Sequence, residues 1–211
     1  MDVRVVSCDK CRSKLTFARI HWGVRASERI SAPLLLDFLA LTDSQVAAFF
    51  ATLPPDASTS IGVGWAGETQ SATWFDIGRE YTEKWFHQQH IREAVGVQGL
   101  MERQWLRPVI EICLRALPYA YQTVDAPDGT NITVRILGDA GGVWSLVRRD
   151  HVWNLYAGEA ATAVTVVQFS DDTAWRLFSK GLDRAALMQS IGIEGNSALG
   201  ATMVDMVAIM A

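Results

Sequence analysis

The sequence predicts an α+β chain in two parts, a helical region followed by a small α+β domain. Three observations carry this reading. Apolar residues recur at helical spacing between Ser31 and Leu117. From Thr130 the pattern changes to strand-like alternation, with Ile132, Val134 and Ile136 on one side. Between the two lies Pro127-Asp128-Gly129, a turn sequence. The expected division is an unassigned segment 1–30, a helical region 31–120 and an α+β domain 128–211.

The elements follow in order. Residues 1–30 hold a short β-like run (Val3 to Val6), a Cys-x-x-Cys (Cys8, Cys11) and no clean period. Ser31 is placed to cap a helix with Pro33 in its first turn. Leu34, Leu35, Phe38, Leu39, Leu41, Val46, Phe49, Phe50 and Leu53 continue that helix until Pro54-Pro55 stops it. A loop rich in Ser, Thr and Gly leads to a second helix from about Ser71 to Val95, ended by Gly96. A third runs from about Gly99 to Leu117, with a break or kink expected at Pro108.

In the second part, Thr130 to Leu137 reads as a strand. Val143 to Arg148 and Val152 to Tyr156 read as a hairpin around Arg149-Asp150. Ala163 to Phe169 is another strand, and Ser170 caps a helix from Asp171 to Leu182 with acidic residues in its first turn. Ile191 to Glu194 is a short strand. Ser197 to Met210 is a final apolar helix.

Bulk properties narrow the function classes. Nineteen Lys and Arg against 23 Asp and Glu give a formal charge of −4, and no basic run exceeds two residues, which argues against nucleic acid. No apolar run approaches the roughly 20 residues that span a bilayer, and the first residues lack a signal-peptide core. The expected setting is therefore cytoplasmic, with a small-molecule substrate and without membrane or nucleic-acid partners. Three cysteines, an odd count, do not suggest a disulfide scaffold.

The most informative segment lies on the second helix. At about 100° per residue, Glu80, Glu83, His87 and His90 fall within an arc of about 80°. Trp74, Ile77, Tyr81, Trp85, Ile91 and Val95 cluster on an adjoining arc of about 120°, expected to be the packed face. Glu83 and His87 are four apart, so one divalent ion can bridge them across a turn. Carboxylate oxygen and imidazole nitrogen suit zinc and other first-row metals. The same spacing also occurs in exposed ion pairs, and two ligands do not close a site.

Glu83-Lys84-Trp85-Phe86-His87-Gln88-Gln89-His90-Ile91-Arg92 resembles a motif of the mycothiol-dependent maleylpyruvate isomerase-like proteins, within the DinB-like metal-binding bundles. Gly141-Gly142-Val143-Trp144, the run Thr173 to Leu182 and the run Ile193 to Leu199 resemble that family's second domain, which has a sterol-carrier-like α+β fold. The resemblance covers roughly residues 31–211. It implies a partial DinB-like bundle followed by the sterol-carrier-like domain. It also implies a divalent metal, usually zinc, with Glu83 and His87 as two of three protein ligands. A small thiol such as mycothiol would serve as cofactor, in isomerase or transferase chemistry.

The family's third ligand is a His on an earlier helix, in a segment with no match here. His21 is the only histidine upstream of the motif, and its context differs. His90 stands where relatives often carry Asp or Gln; it is a candidate third ligand, a partner of the ligands or a surface residue. The alternative to an enzyme is a non-catalytic relative that binds a small ligand or another protein. A shortened bundle also leaves apolar faces uncovered, so a homo-oligomer is expected.

Other features read more plainly. Cys8-Asp9-Lys10-Cys11 is half a zinc site, a redox pair or incidental spacing. Cys113 has apolar helical neighbours and reads as a buried small hydrophobe. Gly138 to Gly142 is a turn, since no Lys-Ser/Thr follows it. Arg148 to His151 reads as a solvated hairpin tip, and Arg176 as a surface or helix-pairing residue.

Overall fold

The computed structural model describes residues 24–59, 62–206 and 208. The Val3–Val6 strand, the Cys8/Cys11 pair and His21 lie outside them. The chain divides between Leu53 and Pro54.

On the first side of that division is α1, Ala32–Phe50. Ser31 occupies the cap position and Pro33 the first turn, as the sequence indicates, but the Ser31 side chain makes no capping bond. None of the helix's residues is buried. At 19 residues and a mean hydropathy of 1.3, α1 is long and apolar enough to cross a bilayer by length and composition alone. That corrects the expectation that no segment passes this test. Isolated polar residues such as Asp37 and Asp43 had hidden the stretch.

The second unit begins with a small hairpin, β1 (Ser58–Thr59) paired antiparallel with β2 (Ser71–Ala72). Two long helices follow, α2 (Thr73–Ala94) and α3 (Arg103–Cys113). A 3-10 turn and the short α4 (Leu117–Ala120) extend α3. Pro118 falls in the first turn of α4, where its missing N–H costs nothing. The helix continues through Pro108, where the sequence reading expects a break or a kink.

A five-stranded sheet completes the unit: β3 (Asn131–Leu137), β4 (Gly142–Arg149), β5 (Val152–Ala157), β6 (Thr165–Ser170) and β7 (Gly192–Gly195). The spatial order is β5-β4-β3-β6-β7; β3 and β6 are parallel and the other pairs antiparallel. The β4–β5 turn places Asp150 and His151 at φ 50° and 64°. Two consecutive left-handed residues match the right-handed twist of the strands they join. After β6 come α5 (Asp171–Phe178) and α6 (Arg184–Ser190), and after β7 the short α7 (Ser197–Ala201). Ser170 caps α5 by accepting from the Thr173 N–H. The sequence reading carried α5 on to Leu182 and had no separate α6. Of the expected final helix, Ser197 to Met210, the described residues form α7 and a 3-10 turn, Thr202–Asp205, and residues 207, 209 and 210 lie outside the described residues.

Alternation along the strands gives the sheet one apolar face. Ile132, Val134 and Ile136 on β3 lie beside Leu146 and Trp144 on β4 and beside Val167 and Phe169 on β6, all buried. This face packs in one continuous core with Leu106, Val109, Ile110 and Cys113 of α3, Trp175 and Phe178 of α5, and Trp85 and Phe86 of α2. The boundary expected between residues 120 and 128 falls inside that core. Arg148 is buried, bonded to the Val124 carbonyl at 2.7 Å and the Asp125 carboxylate at 3.1 Å. Its hairpin position therefore serves the fold rather than a solvated turn.

Tyr121 ties the end of the helical layer to the last helix. Its ring is fully buried, and its hydroxyl donates to the Leu199 carbonyl at 2.7 Å. Replacing Tyr121 with Phe leaves that partly buried carbonyl without its partner. The expected loss is about 1–2 kcal/mol of unfolding free energy, measured by urea denaturation, with the slope of the transition unchanged.

Candidate metal centre

The Glu/His row stands on α2, and the rotation of α2 about its axis decides where that row points. The helix starts from the small hairpin, where the Thr73 N–H and hydroxyl both donate to the Ala57 carbonyl, at 2.9 and 3.1 Å. It ends at Gly96, whose φ of 67° allows the chain to turn back. There Val97 N–H donates to Arg92 and Gly96 N–H to Glu93, the paired bonds of a Schellman ending.

Between these ends, three side chains fasten α2 to the segment that precedes and opens α3. Tyr81 hydroxyl donates to the Trp105 carbonyl at 2.8 Å. Trp85 indole donates to the Leu100 carbonyl at 3.1 Å. Gln89 accepts from the Leu100 N–H at 3.0 Å and is buried. At Gly78 the two helices approach so closely that a Cβ would collide with the Ile112 side chain.

The buried side of α2 is therefore Phe75, Thr82, Trp85, Phe86 and Gln89. This corrects the expected apolar arc. Of that arc Trp85 is buried, whereas Trp74, Ile91 and Val95 are 40%, 64% and 67% exposed. Polar Thr82 and Gln89 take the inside instead, each with its hydrogen bond satisfied: the Thr82 hydroxyl donates to the Arg79 carbonyl at 2.7 Å.

This rotation turns Glu83 and His87 outward. Glu83 Oε2 and His87 Nε2 are 3.9 Å apart, with their side chains 51% and 76% exposed. Zinc bonds to oxygen and nitrogen of about 2.0–2.1 Å at a tetrahedral angle set the two donors roughly 3.3 Å apart. Two exposed side chains reach that separation by small rotamer changes, so this pair fits a divalent ion as two of its ligands. Glu80 and His90 are exposed on the same row. The His90 ring lies beside Trp175, with centroids 6.3 Å apart. Among the described residues, no three His, Cys, Asp or Glu side chains are grouped to hold one ion.

Cys113 lies wholly inside the core. Burial pushes its thiol well above the ordinary cysteine range, and the Glu83 charge adds to the shift. The thiol is therefore held protonated and is a poor nucleophile or ligand. Arg176 bridges helices, pairing with Asp172 on its own turn at 3.0 Å and with Glu93 of α2 at 2.7 Å. That is the helix-pairing role its position suggested.

The sequence reading placed Trp74 on the packed arc of the second helix and Trp144 in a motif of the second domain, and did not single out Arg107 or Arg115. The structure groups all four at one cleft. Their separation along the chain left no local pattern to detect.

No family model matches the chain, and no curated protein matches it. The maleylpyruvate isomerase-like resemblance therefore stands on the motifs quoted above. Solved structures give partial likenesses in fold. Sterol carrier protein 2 like 2 from Aedes aegypti is 17% identical, covering 46% of this chain and 94% of that one, with a TM-score of 0.36. Sterol carrier protein 2 from Yarrowia lipolytica, apo form, is 14% identical over 70% of this chain and 98% of that one, with a TM-score of 0.30. A UbiJ-SCP2 ubiquinone synthesis protein is 17% identical over 43% of this chain and 76% of that one, with a TM-score of 0.32.

The raised thiol gives a prediction with a definite sign. Cys113 stays neutral in the folded chain, whereas an unfolded thiol ionises near pH 8.5–9. Its contribution to stability is present below that range and is lost as pH rises through it and beyond. In a Cys8→Ser, Cys11→Ser variant, a disulfide reagent at pH 8 is expected to label Cys113 at the rate of unfolding. Labelling should become immediate only in denaturant.

Proposed function

We propose that the chain binds one divalent first-row metal ion, zinc foremost, through Glu83 and His87, and uses it in isomerase or transferase chemistry that depends on a small thiol. One observation carries the metal part: two side chains of suitable donor chemistry stand one helical turn apart on the solvent side of α2, 3.9 Å from each other. The thiol part rests on the resemblance of the Glu83–Arg92 segment.

A metal ion bound there supplies Lewis acidity, which favours loss of the proton from a coordinated thiol. Glu83 contributes a negative oxygen and His87 a neutral nitrogen, and neither is committed to another partner in the core. Because both side chains are exposed, an ion held by Glu83 and His87 would be accessible from solvent to a small thiol and a substrate. The thiol must come from outside the described core, because burial keeps Cys113 protonated. His90 is the candidate to orient substrate or complete the ligand set, since it lies on the same exposed row. Such chemistry belongs in the cytoplasm, where small thiols stay reduced.

A second reading rests on exposed apolar residues at the end of α2 and just beyond it. Ile91, Val95 and Val97 are 64%, 67% and 51% exposed, and such a surface favours a non-catalytic interaction module, with a second copy of the chain as one partner.

Calorimetric titration of the whole chain with zinc separates the two. The metal reading predicts uptake of about one ion per chain and at least a tenfold loss of affinity in a Glu83→Ala, His87→Ala variant. The circular dichroism of that variant should match the parent, because both side chains are exposed. Absence of zinc uptake by either protein would leave the interaction module as the standing reading.

A further inference from the structure

A second site lies on the other side of α2, away from Glu83 and His87. An open cleft of about 490 Å³ runs between α3 and the β4–β5 strands. Trp74, Pro108, Ile112, Trp144 and Leu155 form its apolar walls. This size is ordinary for a pocket that takes a small organic molecule. Trp74 sits roughly half a turn round α2 from Glu83, so the two sites do not share a surface.

The charges around the cleft are already matched. Arg115 pairs with Glu68 at 2.5 Å, and its guanidinium lies 5.2 Å from the Trp74 ring and 4.7 Å from that of Phe75. Arg107 pairs with Glu111 at 2.7 Å, donates to the Gly141 carbonyl and lies 4.6 Å from the Trp144 ring. Each cation thus braces one tryptophan wall and is neutralised by its own carboxylate. With each guanidinium charge balanced by its own carboxylate, the cleft offers no net charge for an ionic ligand to neutralise. The walls themselves are aromatic and aliphatic. The indoles of Trp85, Trp153 and Trp175 each donate to an acceptor, whereas those of Trp74 and Trp144 donate to none among the described residues.

We propose that this cleft binds an uncharged, mainly aromatic small molecule carrying a hydrogen-bond acceptor. The tryptophans supply flat apolar contact held rigid by the stacked arginines, so little ordering is needed on binding. Uncommitted indole N–H groups on the same residues supply donors. Neither feature depends on a metal ion.

The test uses two fluorescent probes on the whole chain, uncharged N-phenyl-1-naphthylamine and its charged relative 1-anilinonaphthalene-8-sulfonate. The uncharged probe is expected to bind saturably and at least about tenfold more tightly than the sulfonate. Ala157 lines the cleft from an exposed position on β5, so Ala157→Trp fills the site from outside the core. That variant should lose at least nine-tenths of the uncharged-probe affinity at an unchanged melting temperature. Trp74→Ala should weaken binding as well, while Glu83→Ala, His87→Ala should leave it as it was. The proposal is overturned if binding of the uncharged probe persists in Ala157→Trp, since the probe then lies elsewhere on the chain. Equal or tighter binding of the sulfonate overturns the uncharged class.

Discussion

Along one side of α3, water is excluded almost completely: Leu106, Val109, Ile110 and Cys113 are each 0% exposed, and Leu114 and Leu117 continue the same burial beyond the helix. These side chains lie between the apolar face of the sheet and the inner side of α2. Burying a Leu, Ile or Val contributes about 1.5–3 kcal/mol, whereas an exposed ion pair contributes about 0–1 kcal/mol. The arrangement of the second unit therefore follows from covering α3, and the surface ion pairs adjust to it. Arg176 illustrates the order of effects. It links α5 to α2 through Glu93, but only because α3 already holds both helices in place.

The position of α2 determines which chemistry reaches solvent. Tyr81, Trp85 and Gln89 fasten it to backbone groups between Leu100 and Trp105, and Gly78 lets it approach Ile112. These contacts fix the rotation of the helix. Glu83 and His87 are left outward as a consequence, and Trp74 is left to form a wall of the cleft. A helix rotated by a third of a turn would bury the Glu/His pair or seal the cleft.

Local signals in the sequence located most of the elements. Ser170 before two aspartates marked the start of α5, Gly96 the end of α2, and the alternation after Thr130 the central strand. The β4–β5 hairpin was found from the strand patterns on either side, but its turn falls one residue later than Arg149-Asp150, at Asp150-His151, where both residues are left-handed. The packed face of α2 was misplaced because apolarity was taken as the sign of burial. Gln89 and Thr82 are buried because their hydrogen bonds are met, and no periodicity reports that. Arg148 escaped for the same reason, since its partners Val124 and Asp125 lie more than 20 residues away. The Glu83/His87 pair was legible because both residues share one helix. The cleft was not, because its walls come from α2, α3, β4 and β5.

The central claim is that α2 is rotated so that His87, with Glu83, meets solvent as a metal ligand. Ring-nitrogen NMR of the four histidines during a zinc titration tests it most directly. The account predicts that the His87 ring signals move with zinc and that those of His151, at the β4–β5 turn, stay in place. An unmoved His87 alongside zinc uptake at any other histidine would contradict it.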